Sequence, residues 1–305
     1  MTLLHVVLLA IVQGLAELLP VSSSAHVVVA EKLMGLDPSA PAMTLLLVML
    51  HTGTMFAVIV YFWRQWAQTY FSSADAFKRF LVRLIWASAI TLALGYALMK
   101  LIEHTLFRGA PKAQIEDLFG RLDLVAPALA AAGILILIAG LRRTRAEDTA
   151  DRAPSSLTGS ITRRSSGNVT MAQAGWMGLL QGLALPFRGF SRSGVTISIG
   201  MLTGAARERA ERFSFAMAVA ITPLAIGREA LRVLHAKKDA AAMGMPLDLH
   251  ATAMMSLLGM VCAFLAGLVA LKWLSSWLEN GRWYLFGIYC LAASATVFWL
   301  HTRGY

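Results

Sequence analysis

The sequence predicts an all-α polytopic membrane protein built as an inverted-topology repeat, with six transmembrane helices and two re-entrant broken-helix segments. Three observations predict it. Of the 305 residues, 57% are hydrophobic and 14% charged, with a mean hydropathy of +0.64, an apolar excess that no water-soluble core requires. Six apolar stretches reach the roughly 20 residues needed to cross about 30 Å of hydrocarbon. Two further apolar segments are interrupted by Pro, Gly, Ser and charge, and they share letters: QGLAELLPVSSSAH at 13–26 and QGLALPFRGFSRSG at 181–194.

The first interrupted segment covers about 1–35. Its opening run, TLLHVVLLAIV, has the length of a signal-peptide core but lacks a basic leader, so it is read as part of the segment. Pro20 has no amide hydrogen and pushes Leu19 out of helical conformation, so a first half-helix should stop there. Ser22, Ser23 or Ser24 can then cap a second half-helix beginning at about residue 23. Three spans follow at about 42–62, 80–102 and 122–141. Residues 142–171, which include APSSLTGSITRRSSGN, read as a flexible cytoplasmic linker. The second interrupted segment, about 172–204, precedes spans at about 213–234, 252–272 and 284–301.

Two repeats are thereby expected, 1–141 and 172–305, joined by that linker. At an offset of 168 residues, QGLA falls on QGLA and Ser23 on Ser191. Each half is one broken segment plus three crossings; three is odd, so the halves enter the membrane from opposite sides. Backbone released from a helix at membrane depth must be buried in protein or line a wet cavity. The two broken segments should therefore face each other across one polar pocket.

The formal net charge of +10 is spread over span ends and loops, which reads as membrane topology and not as a nucleic-acid patch. Arg64, Lys78, Arg79 and Arg83, the arginines of 142–164, and Arg207, Arg209 and Arg212 are placed together in the cytoplasm. Both termini then lie on the opposite side. The loops at 103–121 and 235–251 pull the other way with Arg108, Lys112, Arg121, Lys237 and Lys238. Cys262 and Cys290 lie in spans without metal spacing and read as small buried residues.

The pocket residues suggest phosphate chemistry. A helix N-terminus offers unpaired N–H groups and partial positive charge. Arg192 adds a planar cation suited to phosphate, flanked by Ser191, Ser193 and Gly194, where backbone can approach a ligand. Gln13 and Glu17, four apart, share a helical face and can hold a divalent cation that bridges to phosphate. Ser23 and His26 pair a hydroxyl with an imidazole, a nucleophile beside a base or a leaving group beside an acid. Each has a plainer reading. Serines in apolar helices back-bond to carbonyls or ease packing, Glu17 could form a structural ion pair with Arg192, and His5 and His51 read as satisfied buried histidines.

Taken together, QGLAELLPVSSSAH, GFSRSGVTISIGMLTG at 189–204 and RFSFAMAV at 212–219 resemble the undecaprenyl-diphosphate phosphatases of the bacitracin-resistance type, over nearly the whole chain. The resemblance implies a multi-pass enzyme of the bacterial inner membrane, dephosphorylating a C55 isoprenyl diphosphate for reuse in wall synthesis. It implies an active site open to the periplasm and a divalent cation, Mg2+ or Ca2+. By position, the family's metal-binding Glu/Gln-x-x-x-Glu pair falls on Gln13 and Glu17, its serines on Ser22, Ser23 and Ser24, its histidine on His26 and its arginine on Arg192. Arg192 would grip the diphosphate, Ser23 would be the nucleophile, and Glu17 and His26 would assist through metal or proton transfer. The expected partners are the lipid substrate and the bilayer, with room for a homodimer and none for nucleic acid.

Two departures from the family pattern stand out. Gln13 is an amide that cannot act as acid or base, which shifts work to Glu17. The second motif has Pro186-Phe187-Arg188-Gly189 where proline usually precedes glycine directly. Arg188 then adds a cation aimed at the phosphates or at a lipid headgroup. A competing function with the same pocket is a polyprenyl-phosphate transporter or flippase, since inverted repeats with broken helices are transporter architecture.

Overall fold

Pro20 interrupts the first apolar segment where the sequence predicts. In the computed structural model, which describes residues 2–36, 41–106, 121–151, 168–187, 189–242, 249–279 and 281–303, α1 (Leu3–Leu18) ends two residues before it and α2 (Ser23–Leu33) starts three after it. Leu19 takes extended geometry, ψ 151°, as a residue before proline must. Three long helices follow, α3 (Pro41–Thr69), α4 (Ala74–Leu106) and α5 (Leu122–Asp151). The order then recurs: α6 (Met171–Ala184), a break, α7 (Arg192–Leu202), and the long α8 (Arg207–Ala242), α9 (Leu249–Glu279) and α10 (Trp283–Thr302). Among the described residues all regular structure is helical.

Among the described residues, five helices are long and apolar enough to cross a membrane: Ala42–Thr69, Ala74–Thr105, Leu122–Arg142, Thr252–Leu278 and Trp283–Thr302. The sixth expected span, 213–234, lies inside α8, a helix with Pro223 in its interior, and is not among these five. At 1.5 Å per residue, the 16 residues of α1 and 14 of α6 reach only about 24 and 21 Å, short of a full crossing. Large apolar side chains face outward on α4 and α9, Tyr96 at 62% and Val269 at 64% exposure among them, as lipid contact requires. The helix α5 runs on to Asp151, so the first ten residues of the expected 142–171 linker are helical; 152–167 lie outside the described residues.

The chain forms two compact units interleaved in sequence. The first holds Met1–Leu19, Ser23–Arg64 and Ala218–Trp273. Its core joins Val6, Leu9 and Ala10 of α1, Val27 of α2, Met43, Leu46 and Leu50 of α3, and Ala263 of α9. A methyl group at Gly53 would lie 2.2 Å from the Met260 carbonyl oxygen, and one at Gly14 would lie 2.6 Å from Ala266 Cβ. Small residues thus let α1 and α3 sit directly on α9, the usual way membrane helices gain contact.

The second unit holds Pro20–Ser22, Gln65–Met217 and Leu274–Tyr305. Here α6 lies on α4, where the Thr91 hydroxyl donates to the Gly178 carbonyl at 2.9 Å. α10 lies on α5, where Ser294 Oγ donates to the Ala126 carbonyl at 2.7 Å. A capping box starts α6: Thr170 Oγ1 accepts from the Gln173 amide at 3.2 Å and the Thr170 amide donates to Gln173 Oε1 at 2.8 Å. Cys262 and Cys290 are both free thiols; Cys290 is buried as expected, whereas Cys262 is only partly buried.

Candidate functional site

The first unit gathers three of the expected site residues around one oxygen. Gln13 and Glu17 sit one turn apart on the last two turns of α1, and the Gln13 side-chain N–H donates to Glu17 Oε2 at 3.2 Å. Ser23 opens α2, and its hydroxyl donates to the same Oε2 at 2.5 Å. Gln13 is buried at 1% exposure, whereas the Glu17 side chain keeps 13%. The carboxylate is thus held by fixed donors and is still reachable. A hydroxyl this close to a carboxylate oxygen has the geometry of a nucleophile resting on its base.

A fourth residue joins them, and sequence reasoning had assigned it only a packing role. His51, on α3, has Nδ1 2.8 Å from the Leu47 carbonyl oxygen. A carbonyl only accepts, so Nδ1 carries the proton in that contact. The other nitrogen, Nε2, lies 3.8 Å from Glu17 Oε2. In the neutral ring two acceptors therefore face each other across a gap suited to a shared proton or an incoming donor. The His51 side chain is 43% exposed, far from the satisfied core histidine expected. Its only sequence signal is a polar His-Thr-Gly-Thr run inside the apolar α3, and its 34-residue separation from Glu17 hides the convergence.

The turn between α1 and α2 belongs to the second unit. Ser22 has φ 66°, a left-handed conformation that costs a non-glycine residue about 1–3 kcal/mol and recurs at functional sites. Pro20 lies against the first turn of α7: a methyl group at Gly194 would meet Ile136 Cδ1 at 2.6 Å, Ser191 Oγ at 2.9 Å and Pro20 Cβ at 3.2 Å. Cys290 Sγ donates to the Pro20 carbonyl at 3.3 Å. The break of the first motif and the helix start of the second are therefore neighbours.

Ser191 is the N-cap of α7, its hydroxyl accepting from the Gly194 amide at 3.3 Å. Arg192 is the first helical residue and is half-buried, while Ser193 and Gly194 are buried. The loop before it is closed by the Phe190 amide donating to the Phe187 carbonyl at 3.1 Å. Gly189 sits at φ 102°, with its α-carbon so close to α5 that a methyl group would lie 2.5 Å from the Val125 carbonyl oxygen. The altered Pro-Phe-Arg-Gly turn thus still depends on its glycine; Arg188 lies outside the described residues. Ser24 and His26 occupy the first turn of α2 and are half-buried. Gln181, the repeat counterpart of Gln13, is buried at 1% exposure, and neither amide atom has a hydrogen-bond partner among the described residues.

The donors at Glu17 also bear on a metal. No three His, Cys, Asp or Glu side chains converge among the described residues, so a cage made wholly of protein ligands is not built there. Mg2+ typically needs only one or two carboxylates, keeping waters and taking phosphate oxygens as its remaining ligands. Glu17 with the oxygen of the Gln13 amide fits that mode.

Comparison with known proteins shows the family. A family model described as bacitracin resistance protein BacA matches residues 6–296. The chain is 54% identical to an undecaprenyl-diphosphatase 2 of Acinetobacter baylyi, across 97% of both chains. It is 32% identical to an undecaprenyl-diphosphatase of Desulfosudis oleivorans, over 97% of this chain and 98% of that one. It is 34% identical to another from Acidiphilium cryptum, over 95% of each.

Proposed function

The chain belongs to the bacitracin resistance protein BacA family, and we propose from that premise that it is an undecaprenyl-diphosphatase, a phosphoric anhydride hydrolase. It converts undecaprenyl diphosphate and water to undecaprenyl phosphate and inorganic phosphate, returning the lipid carrier to wall synthesis. At the level of atoms one observation carries the reading: the 2.5 Å hydrogen bond from the Ser23 hydroxyl to Glu17 Oε2.

In the first step Glu17 takes the Ser23 proton as Oγ attacks the terminal phosphorus. The bond from that phosphorus to the bridging oxygen breaks, and undecaprenyl phosphate leaves with the electron pair. In the second step water attacks the phosphoserine, the Ser23 oxygen recovers its proton, and inorganic phosphate departs. Gln13 keeps Glu17 oriented, and His51 stands on the open side of the carboxylate. His26 assists orientation or proton transfer from the first turn of α2. Arg192 holds the diphosphate, supported by Ser191, Ser193 and the amides of the α7 N-terminus, and Ser22 and Ser24 line the substrate. Glu17 and Gln13 would hold Mg2+ or Ca2+, which when bound offsets phosphate charge.

The same reading makes α1–α2 and α6–α7 re-entrant and the two halves inverted. Their short half-helices and the recurrence of element order support it. The enzyme resides in the inner membrane, its arginine-rich loops are cytoplasmic, and its active site opens to the periplasm. Phosphate release from undecaprenyl diphosphate by the purified chain with Mg2+ tests the function. Wild type should turn over, and Glu17→Gln and Arg192→Ala should each lose at least ~100-fold, the scale of removing one preorganised charge contact. Binding of the lipid with no phosphate release under any metal condition would instead identify a carrier.

A further inference from the structure

The second unit carries an arginine cluster that the proposed reaction does not use. It lies where α3 ends, α4 begins and α8 begins. Tyr70 follows the last residue of α3 and stacks on Phe80 of α4, with ring centroids 4.1 Å apart. Phe80 in turn meets Phe213 of α8 edge-on at 6.4 Å. The Trp66 indole N–H donates to the Arg212 carbonyl at 3.3 Å, tying the two helix ends together.

Burial pushes the Tyr70 phenol up to about 12, against the opposing pull of Arg212, Arg83 and Arg209. All three guanidiniums therefore act on a group that stays neutral, and Arg209, one turn before Arg212 on α8, is held below its ordinary value by burial and then by Arg212. Among the described residues the carboxylate paired with the cluster is Glu208, 3.2 Å from Arg212 and itself 61% exposed. Arg83 Nε is buried and has no hydrogen-bond partner among the described residues. Three cations against one exposed acid, with a guanidinium donor unmet, is a charge arrangement that an anion completes.

The surroundings say which kind of anion. Phe71 and Phe77 are each 43% exposed and Leu81 38%, so the cluster is rimmed by apolar and aromatic side chains at one end of the α4 span. Aromatic residues beside arginines at a span end mark the headgroup level of a bilayer, and basic pockets between helices bind anionic headgroups there.

We propose that Arg83, Arg209 and Arg212 form an interfacial site for the phosphate of an anionic phospholipid headgroup, whose acyl chains lie along Phe71, Phe77 and Leu81. The site shares no residue with the proposed catalytic set and does not depend on the proposed reaction.

Native mass spectrometry of the full chain, released from detergent containing phosphatidylglycerol or phosphatidylcholine, tests it. Retained phosphatidylglycerol should exceed phosphatidylcholine, and the preference should fall about 5-fold for each arginine replaced in Arg83→Gln/Arg209→Gln, following the roughly 1 kcal/mol that each basic residue contributes near a charged bilayer. Lys100→Gln, at the far end of α4, should leave it unchanged. If the double variant cannot be purified, Arg83→Lys is measured instead, and a reduced preference supports the site. Equal retention of both lipids, or an undiminished preference in the variants, would reduce these arginines to topology signals. Displacement of phosphatidylglycerol by millimolar inorganic phosphate would overturn the lipid assignment in favour of a free-phosphate site.

Discussion

At the scale of single residues, Glu17 Oε2 receives both the Ser23 hydroxyl and the Gln13 amide and faces His51 Nε2 at 3.8 Å. His51→Ala should leave the fold intact, since the ring is 43% exposed, yet slow phosphate release by roughly 10- to 100-fold, in the range of general acid–base assistance. Unchanged turnover in that variant would assign the ring to packing. Gln181→Leu should do the reverse. Its amide has no partner among the described residues, and replacing a buried unsatisfied group of this kind removes a penalty of about 1–3 kcal/mol. A melting temperature in detergent equal to or above wild type is expected; a lower one means the amide is engaged. Much of this site was legible beforehand, because Gln13–Glu17 is an i,i+4 pair and Pro20 and the serines are local signals. His51 was not: its approach to Glu17 depends on α3 packing beside α1, which no short-range pattern encodes.

At the scale of elements, the first turn of α7 is shaped by what it touches. Gly194 has room for no side chain, with Ile136 Cδ1 2.6 Å from where a methyl group would sit. Gly194→Ala should therefore destabilise by about 1–3 kcal/mol, the usual range for overpacking, and lower activity by moving Arg192. Adding Ile136→Val deletes the clashing methyl and should restore part of both; no recovery would place the strain at Ser191 or Pro20 instead. The half-helix boundaries at Leu18 and Ser23 could be read from proline and serine chemistry. The helical continuation of α5 to Asp151 could not, because the arginines of 142–151 read as the charged end of a span, although Arg, Ala and Glu also favour helix.

At the scale of the whole molecule, the apolar excess and the five membrane-length helices among the described residues make a multi-pass protein, in which helix, break, helix and three long helices occur twice in order. The sixth crossing that we propose would rest on α8, where Pro223 and the following Arg228-Glu229 interrupt the apolar run. Under the proposed topology, reporter fusions should place 152–167 in the cytoplasm and the C-terminus on the periplasmic side, since six crossings would return the chain to the side where it began. Opposite sides for the two termini would mean an odd number of crossings.

The central claim is that Glu17 and Ser23 act as one unit on the diphosphate. A kinetic double-mutant cycle tests it most directly, measuring kcat for phosphate release with Glu17→Gln, Ser23→Ala and both together. Groups that work as a unit are strongly non-additive, so the double variant should be no slower than the slower single variant. Additive losses, or near-normal turnover in Ser23→Ala, would contradict it.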